Sequence, residues 1–286
     1  MIATLSELLA PAAREGRAVA GFNIFGLDEA VRVVAAAQAQ GQPVILMTNK
    51  ELVKAIPPEI LGPSLRAVAQ RSSVPVCVHL DHTYQFDLVY RAVAAGYTSV
   101  MYDGSQKEFR ENVEETSRVV EVAHPCGVSV EGEIGSVAYN EQGSTIKHEL
   151  TDPEKAARFA ELTGVDAVAV SVGTVHKMVT QDAEIDHERL KRIGSMTGVP
   201  LVIHGTSGIS EGDLRIMASG PVCKFNIGTL LRRAWGETLR SQIVTDGSAF
   251  DRLTLTGASL DALQLKAEEM IAILANPLSK SREEQQ

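Results

Sequence analysis

Short apolar runs rich in β-branched residues alternate along this chain with segments whose apolar positions recur at helical spacing. Strands are predicted over residues 18–23, 43–48, 75–80, 98–102, 128–133, 166–170, 200–204 and 222–227. Helices are predicted between them over 27–40, 86–95, 107–123, 153–162, 187–196 and 211–218. The strands are apolar throughout rather than alternating, the pattern of a parallel sheet covered by crossover helices on both faces. Eight such units with no linker predict a single domain of α/β class over 1–286, a closed (β/α)8 TIM barrel. The alternative is an open doubly wound sheet, whose GxGxxG fingerprint appears nowhere.

Local punctuation supports these boundaries. Asp152-Pro153 reads as an N-cap followed by a first-turn proline, and Gly41 and Gly164 stand where helices hand back to strands. After the last strand, 229–240 reads as helix. An extra C-terminal helix is predicted over 257–274, and 280–286 reads as a frayed polar tail. Residues 135–150 are polar, contain glycine and lack periodicity, so a mobile loop is expected there.

Composition narrows the class. A chain of 286 residues, 44% hydrophobic, can bury a large core. The net charge of -9 argues against a nucleic-acid partner, which calls for a basic face, but local dipoles or a metal still allow phosphate binding. Cys77, Cys126 and Cys223 are odd in number and widely spaced, as thiols in a reducing compartment are. The opening residues lack a basic signal-peptide region, and no apolar run reaches membrane-spanning length. A soluble cytoplasmic protein is expected.

The chemistry gathers where strands end. His82 follows the third apolar run, His176 lies past the sixth, and His204 ends the seventh. Three imidazoles at the carboxyl ends of buried strands provide the three protein ligands of a catalytic metal site and leave a position open for substrate. A lone histidine is usually a satisfied core or surface group, and that reading is kept for His79, His124, His148 and His187. Asp103 and Glu133 also end strands, where they either bind the cation or hold its ligands in place, the plain alternative being that they fix loops by hydrogen bonds.

Seven blocks in order then carry a family resemblance. They are Gly21-Phe22-Asn23, His79-Leu80-Asp81-His82, the run from Ser99 to Ser105, Glu131-Gly132-Glu133-Ile134-Gly135, Val172-Gly173-Thr174-Val175-His176, Ile203-His204-Gly205-Thr206-Ser207-Gly208, and the run from Lys224 to Thr229. The chain resembles the class II, zinc-dependent ketose-bisphosphate aldolases, the family of fructose- and tagatose-bisphosphate aldolases. The resemblance implies one zinc ion held by His82, His176 and His204, a homo-oligomer (dimer or tetramer), and a monovalent-cation requirement. It gives Asp81 the proton transfers at the aldehyde-derived hydroxyl, although a carboxylate beside a ligand also serves to orient that ligand. It places the proton-abstracting base at Glu141 in the mobile loop, where the plain alternative is a solvated glutamate. Gly205, Thr206 and Ser207, with Asn226, Gly228 and Thr229, follow the last two strands, where barrel enzymes grip phosphate. With Asn23 they would hold the phosphorylated sugar.

Two departures bear on the substrate. Lys177 follows His176 where the family usually has a glycine whose backbone approaches phosphate; it either supplies a new contact or points into solvent. Gly228 stands where fructose-type enzymes carry an aspartate and tagatose-type enzymes a small residue. The loops at 24–26 and 48–50 differ from the usual ones as well. The resulting expectation is a zinc aldolase that cleaves a phosphorylated ketose into dihydroxyacetone phosphate and an aldehyde. An aldolase with a non-standard donor or acceptor and a non-catalytic metal-binding scaffold stay open as alternatives.

Overall fold

A computed structural model describes residues 1–139, 148–178, 180–248 and 250–277. Glu141 and the tail at 280–286 lie outside the described residues, as do residues 140–147 of the predicted loop. The apolar runs form β1 (Val19–Asn23), β2 (Val44–Thr48), β3 (Val76–Thr83), β4 (Ser99–Tyr102) and β5 (Ser129–Ile134). After the short β6 (Ala138–Tyr139) come β7 (Ala167–Val170), the short β8 (Val175–His176), β9 (Leu201–Ile203) and β10 (Val222–Ile227). The longer strands close into a parallel barrel in the order β1-β10-β9-β7-β5-β4-β3-β2, and β6 pairs with β8 in a separate parallel ladder.

The helices are α1 (Leu5–Glu15), α2 (Leu27–Gln40), α3 (Lys50–Ala55), α4 (Pro58–Gln70), α5 (Phe86–Ala94) and α6 (Phe109–Ala123). They continue as α7 (Pro153–Thr163), α8 (His187–Met196), α9 (Glu211–Ala218), α10 (Thr229–Thr245) and α11 (Arg252–Ala275). The extra C-terminal helix is α11, which packs along α2 and α10 and starts five residues earlier than predicted, capped by Asp251. No helix among the described residues is long and apolar enough to cross a membrane.

Three helices escaped the hydrophobic pattern. In α1 and α4 the interrupting residues are Pro11 and Pro63, breakers that packing overrides here. The six-residue α3 is too short for periodicity to show, and Asn49 caps it. Helix α1 has a structural task. Thr4 and Glu7 form a capping box at its start, and its buried Leu5, Leu8, Leu9 and Ala12 join Val19, Ile45, Cys77, Met101 and Val202 in one apolar cluster. That cluster fills the barrel interior, while Val76, Val78 and Leu80 of β3 pack outward with the surrounding helices. Strand alternation thus sends Cys77, His79 and Asp81 inward. The upper interior is consequently polar, and that is where the site forms.

Candidate active site

Strand β3 runs three residues past its predicted end, and its pairing with β4 shifts register between Leu80 and Thr83, so Asp81 and His82 are carried on an irregularity within the strand. Asp81 is buried, and both its oxygens are held: Asn23 Nδ2 donates to Oδ2 at 2.8 Å and Asn226 Nδ2 to Oδ1 at 3.0 Å. His82 adopts φ 43°, a left-handed conformation costly for a residue with a side chain, so packing around it must enforce the turn. Its Nδ1 faces Asp103 Oδ2 at 2.8 Å, which turns Nε2 toward the barrel axis. There it meets His204 Nδ1 at 2.7 Å. His204 lies one residue past β9, and its Nε2 is 3.0 Å from Glu131 Oε1.

His176 arrives by another route. It is carried beyond β7 by the 171–174 loop and fixed in β8 by pairing with β6. Gly205 makes room for that approach, because at φ 75° a Cβ there would sit 2.8 Å from the Val175 carbonyl. The His176 ring stands edge-on to both partners, its centroid 5.5 Å from His82 and 5.9 Å from His204. One ring nitrogen from each of the three histidines lies within 4.8 Å of the others, and His82, Asp103 and Glu133 form a second such group.

The donor set fits a divalent cation. Glu133 Oε2 is buried without a hydrogen bond, 3.8 Å from His82 Nδ1 and 3.7 Å from His204 Nδ1. Burial, followed by the neighbouring Asp103 charge, pushes the Glu133 carboxyl well above the usual range. Burial also pushes His176 and His204 well below theirs, helped by the charge on His82. At His82 burial acts downward, yet Asp81, Asp103 and Glu133 together outweigh it and raise the imidazole to about 10. The cluster therefore attracts positive charge at one point, with imidazole nitrogens and carboxylates around it, a donor set that suits a divalent metal ion.

The cavity over this triad is lined by Asn23, Asp81, His82, His176, Lys177 and the 205–207 turn, and across from them by Asn226, Gly228 and Thr229. Of the site residues proposed from the sequence, His204, Asp103 and Glu133 are buried beside His82, Glu141 is outside the described residues, and the others line the cavity. Lys177 sits at φ 60°, in the left-handed region where a glycine would be at ease. Thr206 spends its hydroxyl on the Asn226 carbonyl at 2.9 Å, whereas Ser207 Oγ is buried without a hydrogen-bond partner. Beside them α10 begins at Thr229, so its first backbone N–H groups face the cavity.

Sequence reading missed Arg232 and Glu51, which also line the cavity, and marked Phe25 and Lys50 only as departures. It missed more below the triad. Lys224 and Glu131 are fully buried and joined at 2.6 Å, a pair with no local signal because 93 residues separate its members. His79 rests on Ser99 Oγ at 2.8 Å, His124 on Asp166 at 2.9 Å and His187 on Asp213 at 2.7 Å.

Comparison with known proteins agrees with this geometry. Residues 3–277 match the family model described as "Fructose-bisphosphate aldolase class-II". The chain is 34% identical to a 6-phospho-5-dehydro-2-deoxy-D-gluconate aldolase of Shouchella clausii (strain KSM-K16), over 93% of this chain and 92% of that one. It is likewise 34% identical to a fructose-bisphosphate aldolase of Thermus caldophilus, over 92% of this chain and 95% of the relative. The crystal structure of the YdjI aldolase from Escherichia coli K12 superposes with a TM-score of 0.82 at 29% identity, covering 96% of this chain and 97% of that one.

Proposed function

Since the chain belongs to the class II fructose-bisphosphate aldolase family, we propose that it is a zinc-dependent lyase cleaving a phosphorylated ketose reversibly into dihydroxyacetone phosphate and an aldehyde. The observation that carries this is the convergence of His82, His176 and His204 at a cavity that His82, His176 and Asp81 line. The three histidines would hold one zinc ion, with Asp103 and Glu133 behind them. Bound there, zinc supplies stabilisation for the negative charge that develops on the donor's oxygens when the carbon–carbon bond breaks.

The chain's own groups do the rest. In cleavage, Asp81 takes the proton from the hydroxyl on the aldehyde-derived carbon, and Asn23 and Asn226 keep both its oxygens aimed. In synthesis it returns that proton. Glu141 is assigned the proton of the donor's α-carbon, returning it in cleavage and removing it in synthesis. Ser207 Oγ, the 205–207 turn and the start of α10 at Thr229 grip the donor phosphate, with Gly228 leaving space beside Asn23. Lys177 adds a charge at the same rim.

The open space at Gly228 favours a tagatose-type or other ketose phosphate over fructose 1,6-bisphosphate. The Shouchella relative, named for a different phosphorylated substrate, supports an aldolase whose acceptor is not a simple triose phosphate as the second reading. A purely scaffolding barrel is disfavoured by the fully assembled acid and metal-ligand set. The family also supports a cytoplasmic homo-oligomer, dimer or tetramer, and a monovalent-cation requirement. The deciding experiment is a screen of phosphorylated ketoses for triose-phosphate release, with and without a chelator. Release that stops on chelation and returns with zinc is expected; release indifferent to chelation would refute the metal assignment.

A further inference from the structure

Below the proposed metal ligands, in the one part of the barrel where apolar packing would be expected, lies a charged pair. Lys224 Nζ donates to Glu131 Oε2 at 2.6 Å, and both side chains are fully buried. Such a pair adds little to stability, since apolar residues of similar volume often do as well or better. Its placement suggests another use. Lys224 occupies one oxygen of Glu131, and the other, Oε1, lies 3.0 Å from His204 Nε2. Asn226 Nδ2 is also 3.1 Å from that nitrogen; it gives one hydrogen to Asp81 and, as a donor only, offers no acceptor for a hydrogen on His204 Nε2, which Glu131 Oε1 does.

We infer that Lys224 and Glu131 are positioning residues: Lys224 aims Glu131, and Glu131 accepts the Nε2 hydrogen of His204, leaving Nδ1 to face the metal. This rests on the zinc reading above. In the opposite tautomer the Glu131 carboxylate would face a bare lone pair, with no hydrogen between two acceptors. His204 Nδ1 already points to the triad, 2.7 Å from His82 Nε2. His82 is set in the complementary way, with Asp103 on Nδ1 and Nε2 inward. The two histidines thus turn different nitrogens to the triad, His82 its Nε2 and His204 its Nδ1, and each has a carboxylate on the other nitrogen. His79, with Nδ1 on Ser99 and Nε2 3.8 Å from Glu131 Oε2, packs against the pair from β3.

The test compares zinc affinity by chelator competition, thermal stability and the visible spectrum of the cobalt-substituted protein in wild type, Glu131→Gln and Glu131→Gln/Lys224→Met. The double variant removes both charges and so avoids a lone buried ion. Zinc affinity is expected to fall roughly 10–100-fold in both variants, as replacement of a ligand's carboxylate partner does. The cobalt bands should shift, and the double variant should melt near wild type. A double variant that folds, binds zinc within about twofold of wild type and leaves the cobalt bands unmoved would overturn the inference, the pair then serving only to fill the core. Absence of tight zinc from wild type itself would overturn the functional reading first, and this inference with it.

Discussion

Replacing Asp81 by asparagine keeps the side chain's shape but removes its capacity to take a proton. In the structure each Asp81 oxygen accepts one amide hydrogen, from Asn23 at 2.8 Å and from Asn226 at 3.0 Å. Asparagine satisfies one of these donors and turns its own amide against the other; alanine abandons both. A buried donor left unpaired costs about 1–3 kcal/mol. On that basis Asp81→Asn should lose about one such increment of stability, and Asp81→Ala up to about two. Activity should divide differently. General acid–base transfer contributes roughly 10²–10⁴-fold in rate, or about 2.7–5.4 kcal/mol of barrier. Both variants lack the proton acceptor, so both should lose kcat by that order despite their different stabilities. The assay is steady-state cleavage of the best ketose phosphate found in the screen, with zinc content and melting temperature measured on the same samples. Zinc should stay near one per chain, because Asp81 is assigned proton transfer and not metal binding. An Asp81→Asn enzyme with kcat within about tenfold of wild type lies outside the range for acid–base loss and would refute the assignment, leaving Asp81 as an orienting group.

Alanine at His82, His176 or His204 should each remove the metal together with activity; full zinc occupancy in all three variants, read by elemental analysis, would refute the triad. Gly228→Asp should fold normally, since a Cβ there meets Asn23 Cβ only at 3.5 Å, and should shift kcat/KM toward fructose 1,6-bisphosphate; an unchanged ratio refutes the specificity argument. Alkylation at pH 8 followed by mass spectrometry should label exposed Cys126 first, because burial pushes Cys77 up to about 12 and Cys223 to about 11; rapid labelling of Cys77 in the folded protein would contradict the packing. Asp186 caps α8, and the Arg189 backbone N–H followed by its guanidinium lowers that carboxyl below the ordinary 3.8. Its folded value is the depressed one, so its contribution is complete above 3.8 and fades as pH falls through the folded value. Asp186→Asn should accordingly flatten the acid limb of melting temperature against pH, and an unchanged limb would refute the cap's role.

The barrel was legible because its strands are apolar on both faces and turn residues separate them. Residues 43–48, for example, read as strand with no help from their neighbours, and β2 (Val44–Thr48) follows them closely. Helices α1 and α4 were not legible, since Pro11 and Pro63 break the local pattern and only contact with the barrel compensates for them. Strand ends were uncertain for a related reason. Where β3 continues through Asp81-His82-Thr83, hydrophobicity stops while the strand resumes its pairing at Thr83 after a register shift, as polar side chains have replaced apolar ones inside the barrel.

The same replacement explains which site residues could be found by reading. His82, His176 and His204 stand out because imidazole at the end of an apolar run has few other uses, and each could be picked out separately. Glu131 and Lys224 could not. A lysine in a strand ordinarily reaches solvent, and a glutamate two residues before Glu133 adds nothing to the pattern of its own strand. What gives the pair its meaning is closure of the sheet, which brings β5 and β10 across the interior and joins Nζ to Oε2 at 2.6 Å. Strand alternation could have indicated it: Cys77, His79 and Asp81 share one face of β3, and Glu131 and Glu133 share one face of β5. Once Asp81 and Glu133 are taken to face inward, parity requires His79 and Glu131 to do the same one layer deeper. A buried acid at that depth needs a buried cation, and Lys224, two residues before inward-facing Asn226, is the one on β10 that parity supplies.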